Sequence, residues 1–345
     1  MPADPVRVGI AGLGRSGWNI HAATIGGHEG YRIVAVADPL PERRAEAQAR
    51  FGCAAYERPE EVFSDPGVEL AIVATPSHTH APFAAQALRA GRHVVVEKPM
   101  AQNLAELDTA IAAAAAADRV LTCFQQYRWN ARFTTVQDII AGGRLGRIVL
   151  AKHTGNNFIR RSDWQMLRRL GGGELSNNGP HIIDQALLLM GEGPVELFAD
   201  LQHTVGGGDA EDHVKLCLKG ASGMVFDIEL SHCCALPQPE WTIFGSCGAL
   251  QSAEGGYRVR WFDPSGLPPR EVDEGPAAGR AYQRPEELPW QEEIVPVRQE
   301  RRPEQLFYDA LLRTLREGAP VPVSPASVRR QIEVIVRARA LTGLR

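Results

Sequence analysis

The sequence predicts two domains. The first, over 1–124, is an α/β domain built on a doubly wound parallel Rossmann sheet. The second, over 125–345, is an α+β domain with a large open, mostly antiparallel sheet. Three observations predict this. Through residue 124, short β-branched runs alternate with longer helical stretches, the pattern of βαβ units. Those runs are almost continuously apolar, as strands buried on both faces must be. From residue 195 the texture changes to segments of alternating apolar and polar residues, which suit antiparallel strands with one wet face. A chain of 345 residues with 44% hydrophobic content is long enough for both cores.

Residues 6–11 read as the first strand, with Val6, Val8 and Ile10 apolar. Gly12-Leu13-Gly14-Arg15-Ser16-Gly17 follows directly, then a helical stretch with Trp18, Ile20 and Ala22. A G-x-G-x-x-G between a strand and a helix is a dinucleotide-binding fingerprint. Gly12 permits the tight turn, Gly14 lets backbone approach a pyrophosphate, and Gly17 lets helix pack on strand. The helix N-terminus presents free N–H groups to the phosphates. The second strand, 31–37, ends at Asp38, about 20 residues beyond Gly17, where a ribose-binding acid is expected. Its carboxylate would accept bonds from ribose hydroxyls and repel a 2′-phosphate. The expected cofactor is therefore NAD rather than NADP, although Arg43 and Arg44 soften the preference. The other reading of Asp38 is a helix N-cap before Pro41-Glu42.

Helices are expected over 41–51 and 59–63, a strand over 68–74, and a crossover helix over 78–90 closed by Gly91. Next comes His93-Val94-Val95-Val96-Glu97-Lys98-Pro99. Its three valines read as a buried parallel strand, and Pro99 ends it. Lys98 is thus presented at the carboxyl edge of the sheet, where open α/β sheets bind ligands. An apolar wall behind the amine can lower its pKa and make it a proton donor or acceptor. A surface lysine paired with Glu97 is the other reading. Thr75-Pro76 ends a neighbouring strand, so its backbone is expected to border the nicotinamide half. His80, in a first helical turn, either reaches the cofactor or is merely solvated. An alanine-rich helix over 103–117 and a strand over 120–124 complete this domain.

The polar and aromatic run 125–130 reads as a loop opening the second domain. A helix over 133–140, stopped by Gly142-Gly143, and a strand over 148–153 follow. Residues 156–169 are irregular, and a helix continues from the Gly171-Gly172-Gly173 region through Met190. Strands are expected over 195–204, 211–219, 223–233, 240–245, 248–252 and 257–262. Residues 263–300 read as an irregular Pro-, Gly- and Glu-rich excursion. Helices over 303–316 and 325–341 close the chain, the last expected to pack back towards the first domain.

The formal net charge of −4 offers no basic surplus for nucleic acid or an anionic membrane. No apolar run approaches the roughly 18 residues that span a bilayer. The start lacks a charged segment followed by an apolar one, so no secretory signal is expected. Six cysteines without a CxxC pair read as reduced thiols of a cytoplasmic protein. His203, His213, His232 and Cys233-Cys234 fall on separate expected strands, so no metal is expected.

The glycine fingerprint, Thr75-Pro76 with His80, Glu97-Lys98-Pro99, and Gly171-Gly172-Gly173 running on to Gly179, His181 and Asp184 together resemble the glucose–fructose oxidoreductase / inositol dehydrogenase family, Gfo/Idh/MocA. Order and spacing fit over nearly the whole chain. The resemblance implies a nicotinamide cofactor held by Gly12, Leu13, Gly14, Arg15, Ser16, Gly17, Asp38, Thr75, Pro76, His80, Glu97 and Lys98. It implies hydride transfer at a secondary alcohol or ketone of a sugar, cyclitol or related diol. Lys98 matches the family lysine that hydrogen-bonds the reacting oxygen, and His181 the histidine that acts as acid or base. Asp184 falls on the same helix face as His181. Asn177 departs from the family pattern, which commonly has an aspartate assisting the histidine there. An amide can neither take a proton nor stabilise an imidazolium by charge.

The catalytic pair expected is therefore Lys98 and His181. A helix N-terminus beside His181 disfavours its charged form and keeps it available as a base. Tyr127, Arg128, Asn157, Trp164 and Asn177 are candidate contacts, with Lys98 and His181, for a small polyhydroxylated substrate. Arg160, Arg161, Arg168 and Arg169 either favour an acidic sugar or form an exposed face. The resemblance further implies a homodimer or homotetramer through the second sheet. Two other functions stay open: NAD-dependent glycoside cleavage, as in some relatives, and NAD binding without turnover as a sensor, which Asn177 favours.

Overall fold

The computed structural model describes residues 4–343 except 271, 273, 277–279 and 281–285. The first domain is a six-stranded parallel sheet of β1 (Val6–Ala11), β2 (Tyr31–Ala37), β3 (Ala54–Tyr56), β4 (Leu70–Val73), β5 (His93–Val96) and β6 (Leu121–Cys123). The order is β3-β2-β1-β4-β5-β6, so the chain reverses direction of winding between β1 and β4. A π-helical segment, Arg15–Ala22, runs into α1 (Ala23–Ile25). It is followed by α2 (Pro41–Phe51), α3 (Pro59–Ser64), α4 (His80–Arg89) and α5 (Leu104–Ala117). Local chemistry sets these boundaries. Proline opens α2, and Gly52 closes it at φ 62°. The Asn103 side chain accepts from the Glu106 N–H at the start of α5. Val94, Val95 and Val96 are fully buried, as the run of valines requires. The three-residue strand β3 was not foreseen, because Ala54-Ala55-Tyr56 carries no periodic signal. The helix expected from residue 78 begins instead with a tight turn at Ser77–Thr79.

The second domain holds α6 (Ala131–Ala141), β7 (Ile148–Asn156), α7 (Glu174–Asn177) and α8 (Gly179–Met190). The strands β8 (Val195–Gln202), β9 (His213–Gly220), β10 (Val225–Ser231), β11 (Trp241–Gly245), β12 (Gly248–Ala253), β13 (Gly256–Trp261) and β14 (Gln291–Pro296) follow, then α9 (Pro303–Glu317) and α10 (Pro325–Leu341). The eight-stranded sheet has the order β14-β13-β12-β11-β7-β10-β9-β8. All its pairs are antiparallel except β7 with β10. Strand β7 therefore lies mid-sheet, and its end delivers Asn157 to the site.

The irregular excursion expected over 263–300 needs correction. It contains β14, paired with β13 from Trp261↔Gln291 to Gly256↔Pro296. An edge strand with Glu292 and Glu293 shows little apolar alternation, which hid it. The remaining positions of that excursion at 271, 273, 277–279 and 281–285 lie outside the described residues. The first domain is completed by the last helices. Tyr31 donates to the Tyr308 carbonyl (2.8 Å), and Thr122 donates to the Val323 carbonyl (3.0 Å). Among the described residues no helix is long and apolar enough to cross a membrane.

Candidate active site

A cleft of about 530 Å³ opens at the carboxyl ends of β1, β2, β4 and β5, at the switch point of the sheet order. Gly12, Gly14, Arg15, Ser16, Asp38, Arg43, Thr75, Pro76 and Lys98 line it. The fingerprint glycines sit there for visible reasons. Gly12 has φ +93°, and a Cβ on Gly17 would collide with the Gly12 carbonyl. A Cβ on Gly14 would meet only open space, and Gly14 caps the following helix with no side chain. That open, uncapped turn fits a pyrophosphate. Asp38 is 3% exposed, and Oδ2 accepts the Leu13 N–H at 2.8 Å. Its Oδ1 accepts the Leu40 N–H (3.0 Å), and Arg43 reaches Oδ2 at 3.3 Å. Asp38 thus ties β2 to the glycine turn and faces the cleft. The N-cap reading is corrected: Leu40, not Asp38, is the N-cap of α2, and Asp38 only accepts its N–H.

Beside the cleft lies a buried polar relay. His21 contacts Glu97 through Nε2 (3.1 Å) and the Tyr308 hydroxyl through Nδ1 (2.6 Å). The other Glu97 oxygen accepts the Lys98 N–H (3.1 Å). Burial alone would raise the Glu97 pKa, but the His21 bond, with Lys98 and Ser16, holds it down to about 2. Glu97 borders the cleft, and its carboxylate anchors the Lys98 backbone. The Lys98–Pro99 peptide is cis. The Lys98 ammonium donates to the Asn177 carbonyl (2.8 Å) and reaches Asn177 Oδ1 (3.4 Å). Burial pushes the Lys98 pKa down, helped by Arg15, while Glu97 and Glu174 oppose the shift.

His181 lies in the first turn of α8 and is 4% exposed. Gln125, just past β6, places Oε1 at 2.9 Å from His181 Nδ1. In that orientation Nδ1–H donates to the amide oxygen and Nε2 keeps its lone pair. Among the described residues no group bonds Nε2. Burial first, then the Lys98 charge, push the His181 pKa well below its ordinary value, so the ring is neutral near pH 7. The Tyr127 ring stacks on it at 4.0 Å and 17°. Next to this pair opens a second pocket of about 240 Å³. Tyr127, Arg132, His153, Asn157, Ile182, Gln185, Glu240 and Trp241 contribute to its wall.

The structure places Lys98 in the cofactor cleft, with His181 near enough to feel its charge, and stacks His181 on Tyr127, which with Asn157 lines a separate small pocket. Several expected contacts are corrected. Arg128 is held by two 2.7 Å bonds to Asp184 and one to Ser327 (2.9 Å), which locks α8 to α10 and leaves neither residue for substrate. Trp164 lies with Lys98, Arg161 and Gln165 in the cofactor cleft. Asn177 bonds Lys98 and Gln165, not His181, whose partner is Gln125. His80 is 2% exposed and so is not merely solvated; its two nitrogens face the Pro99 (2.7 Å) and Thr75 (2.8 Å) carbonyls, and it braces two strand ends at the wall of the cofactor cleft. Arg168 and Arg169 line a different cavity, behind Gly171 and Gly172. Gln125, Arg132, His153, Gln185 and Glu240 were missed. Gln125 was legible as a polar residue at a strand's carboxyl end. The others meet only through the pairing of β7 with β11 and their packing on α6 and α8.

Two family models match this architecture. The oxidoreductase family with an NAD-binding Rossmann fold matches residues 6–125, and the GFO/IDH/MocA C-terminal domain matches residues 133–251. The chain belongs to the Gfo/Idh/MocA oxidoreductase family. Its first domain is an NAD(P)-binding Rossmann domain. Among relatives, an uncharacterized oxidoreductase of Escherichia coli, YdgJ, is 33% identical over 61% of this chain and 61% of its own. The NADP-linked scyllo-inositol 2-dehydrogenase IolW of Bacillus subtilis is 32% identical over 54% of this chain and 52% of its own. The myo-inositol 2-dehydrogenase of Thermotoga maritima is 28% identical over 66% and 68%. The matched region thus spans only half to two thirds of these curated relatives. The fold is shared more widely. A B. subtilis oxidoreductase structure, YvaA, superposes over 99% of this chain and 97% of that one at a TM-score of 0.82 and 23% identity.

Proposed function

We propose that this member of the family is a dehydrogenase or reductase that exchanges hydride between a nicotinamide cofactor and a secondary alcohol or ketone of a small polyhydroxylated ring. One observation carries the reading: Lys98 lines the cofactor cleft, and the neutral His181, close enough to feel its charge, stacks on Tyr127 of a small polar pocket. The inositol dehydrogenases among its relatives support the substrate class. When bound, the cofactor supplies the hydride acceptor or donor. Gly12, Leu13, Gly14, Arg15, Ser16 and Gly17 would hold the pyrophosphate, Asp38 the ribose, and Thr75-Pro76 the nicotinamide side. Lys98 hydrogen-bonds the reacting oxygen, and its low pKa lets it pass a proton. His181 Nε2 accepts the hydroxyl proton during oxidation and returns it during reduction. Gln125 holds the ring in the tautomer this requires. Asn177, through its carbonyl, aims the lysine.

The preferred cofactor is NAD, because the Asp38 carboxylate faces the ribose end of the cleft. Arg43, paired to Asp38 at 3.3 Å, lets NADP bind more weakly. A cytoplasmic location agrees with six cysteines that form no CxxC pair. It assembles through the open face of the second sheet, where Phe198, Phe244 and Ile294 are 59%, 49% and 52% exposed. Light scattering on Phe244→Glu should then report a smaller particle than wild type.

The test is formation of reduced nicotinamide with NAD and NADP over a panel of cyclitols, aldoses, uronates and dihydrodiols. Turnover that Lys98→Met lowers by about 10²–10⁴ supports the proposal. Tight NAD binding with no turnover on any member would refute it and favour a sensor. Cleavage of a glycoside without net reduced cofactor would favour the hydrolase.

A further inference from the structure

One pole of the 240 Å³ pocket, formed by Glu240, Arg132 and His153, is built from residues that no fingerprint predicts. Glu240, just before β11, bonds Arg132 at 3.0 Å and faces His153 Nε2 at 3.7 Å. Burial would raise the Glu240 pKa, but His153 and Arg132 hold it below the usual range, so the carboxylate is charged. His153 is 5% exposed and stands edge-on to Trp241 at 4.8 Å. Two buried polar atoms here have no partner among the described residues: His153 Nδ1 and Gln185 Oε1. Gln185 is 3% exposed and already spends its Nε2 on the Tyr127 carbonyl (3.2 Å). Buried polar groups are ordinarily bonded, so unpaired ones in a pocket wall await a ligand's polar groups. The remaining wall combines Tyr127, Phe133, Ile182, Leu230 and Trp241, which suit the C–H face of a ring, with Asn130, Asn157 and Asn178, which suit its hydroxyls.

We infer that Glu240, Arg132 and His153 form a hydroxyl clamp that selects an uncharged polyhydroxylated ring, held by hydroxyls across the ring from the reacting carbon, and that rejects acidic sugars. The inference rests on the proposed hydride-transfer reading for which carbon reacts, but not for what binds. The charges decide it. Glu240 accepts hydroxyl protons with its free lone pairs, and Arg132, which could have received a substrate carboxylate, is already paired. A uronate carboxylate placed here would face Glu240, and juxtaposed like charges are strongly unfavourable. The arginines that might have served an acidic sugar lie elsewhere: Arg161 lines the cofactor cleft, and Arg168 and Arg169 line the cavity behind Gly171. The volume suits one ring rather than a chain of them.

The experiment is titration calorimetry on the NADH-loaded protein with matched pairs: neutral cyclitols and pyranoses against the corresponding uronates. The wild type should bind the best neutral ring about ten-fold or more tighter than its uronate. Glu240→Gln keeps a hydrogen-bonding side chain but loses the charge, so it should flatten that ratio. Arg132→Gln leaves Glu240 unpaired and should widen it. The opposite directions separate a charge effect from general damage, and an unchanged NADH affinity reports an intact first domain. Uronates bound as tightly as neutral rings, a ratio unmoved by both variants, or no neutral ring bound at all would overturn the clamp. Failure of the hydride-transfer reading shows differently, as binding that behaves as stated with no Lys98-dependent turnover.

Discussion

Replacing Glu97 by Gln tests how much the relay behind Lys98 stabilises the fold. The carboxylate accepts from His21 on one oxygen and from the Lys98 N–H on the other. An amide can accept at only one of these, and its NH₂ then opposes a donor at the other. Lowering the Glu97 pKa from 4.5 to about 2 corresponds to about 3 kcal/mol of native-state stability. The folded pKa is depressed, so this contribution is complete above the unfolded value and is lost as pH falls towards the folded one. By the same relation roughly half of it remains near pH 3. Urea unfolding of wild type and Glu97→Gln should therefore differ by about 3 kcal/mol at pH 7, with the gap shrinking below pH 5. A gap under about 1 kcal/mol at neutral pH, or one that stays constant down to pH 3, would refute the reasoning.

Other substitutions address the chemistry. Gln125→Ala frees the His181 ring and should lower kcat by about 10–10² with little change in NAD affinity, as single-turnover kinetics would show. Gln125→Glu should restore orientation and place a carboxylate on Nδ1, moving the acid limb of the kcat/KM profile for alcohol oxidation to higher pH. In the wild type that limb should lie below pH 6.5, because burial and Lys98 both lower the His181 pKa and the base must be neutral to work. Arg43→Ala should weaken NADP more than NAD, measured as the ratio of their dissociation constants.

The first domain was legible because its signals are local. The glycine turn lies between β1 and the following helix, Asp38 sits at the end of β2, and Lys98 at the end of β5, each where a short motif announces it. His181 was legible as part of a motif as well. What surrounds these residues was not. Asn177, in the position where an aspartate would assist His181, instead meets Lys98, and Gln125 holds His181, since only the turn from Gly171 into α7 decides which side chain each meets. Arg128 looked like a substrate contact by type, and only the packing of α8 on α10 shows it committed to Asp184. The Glu240–Arg132–His153 pole joins residues about 90–110 positions apart through strand register, to which periodicity is blind. Strand β14 escaped because an exposed edge needs no apolar face.

Tyr308 closes the relay that begins at His21, although 287 positions separate them. A ribosome that has delivered the glycine turn, Asp38 and Lys98 has made every fingerprint of the nucleotide-binding half, yet the hydroxyl supporting His21 is still unsynthesised. During translation the parallel sheet can collapse early, with the buried Glu97–His21 pair lacking its last member until α9 emerges. Completion of the relay behind Lys98 is thereby tied to a late step of biosynthesis, and a chain stalled before α9 would carry the sheet without its Tyr308 support.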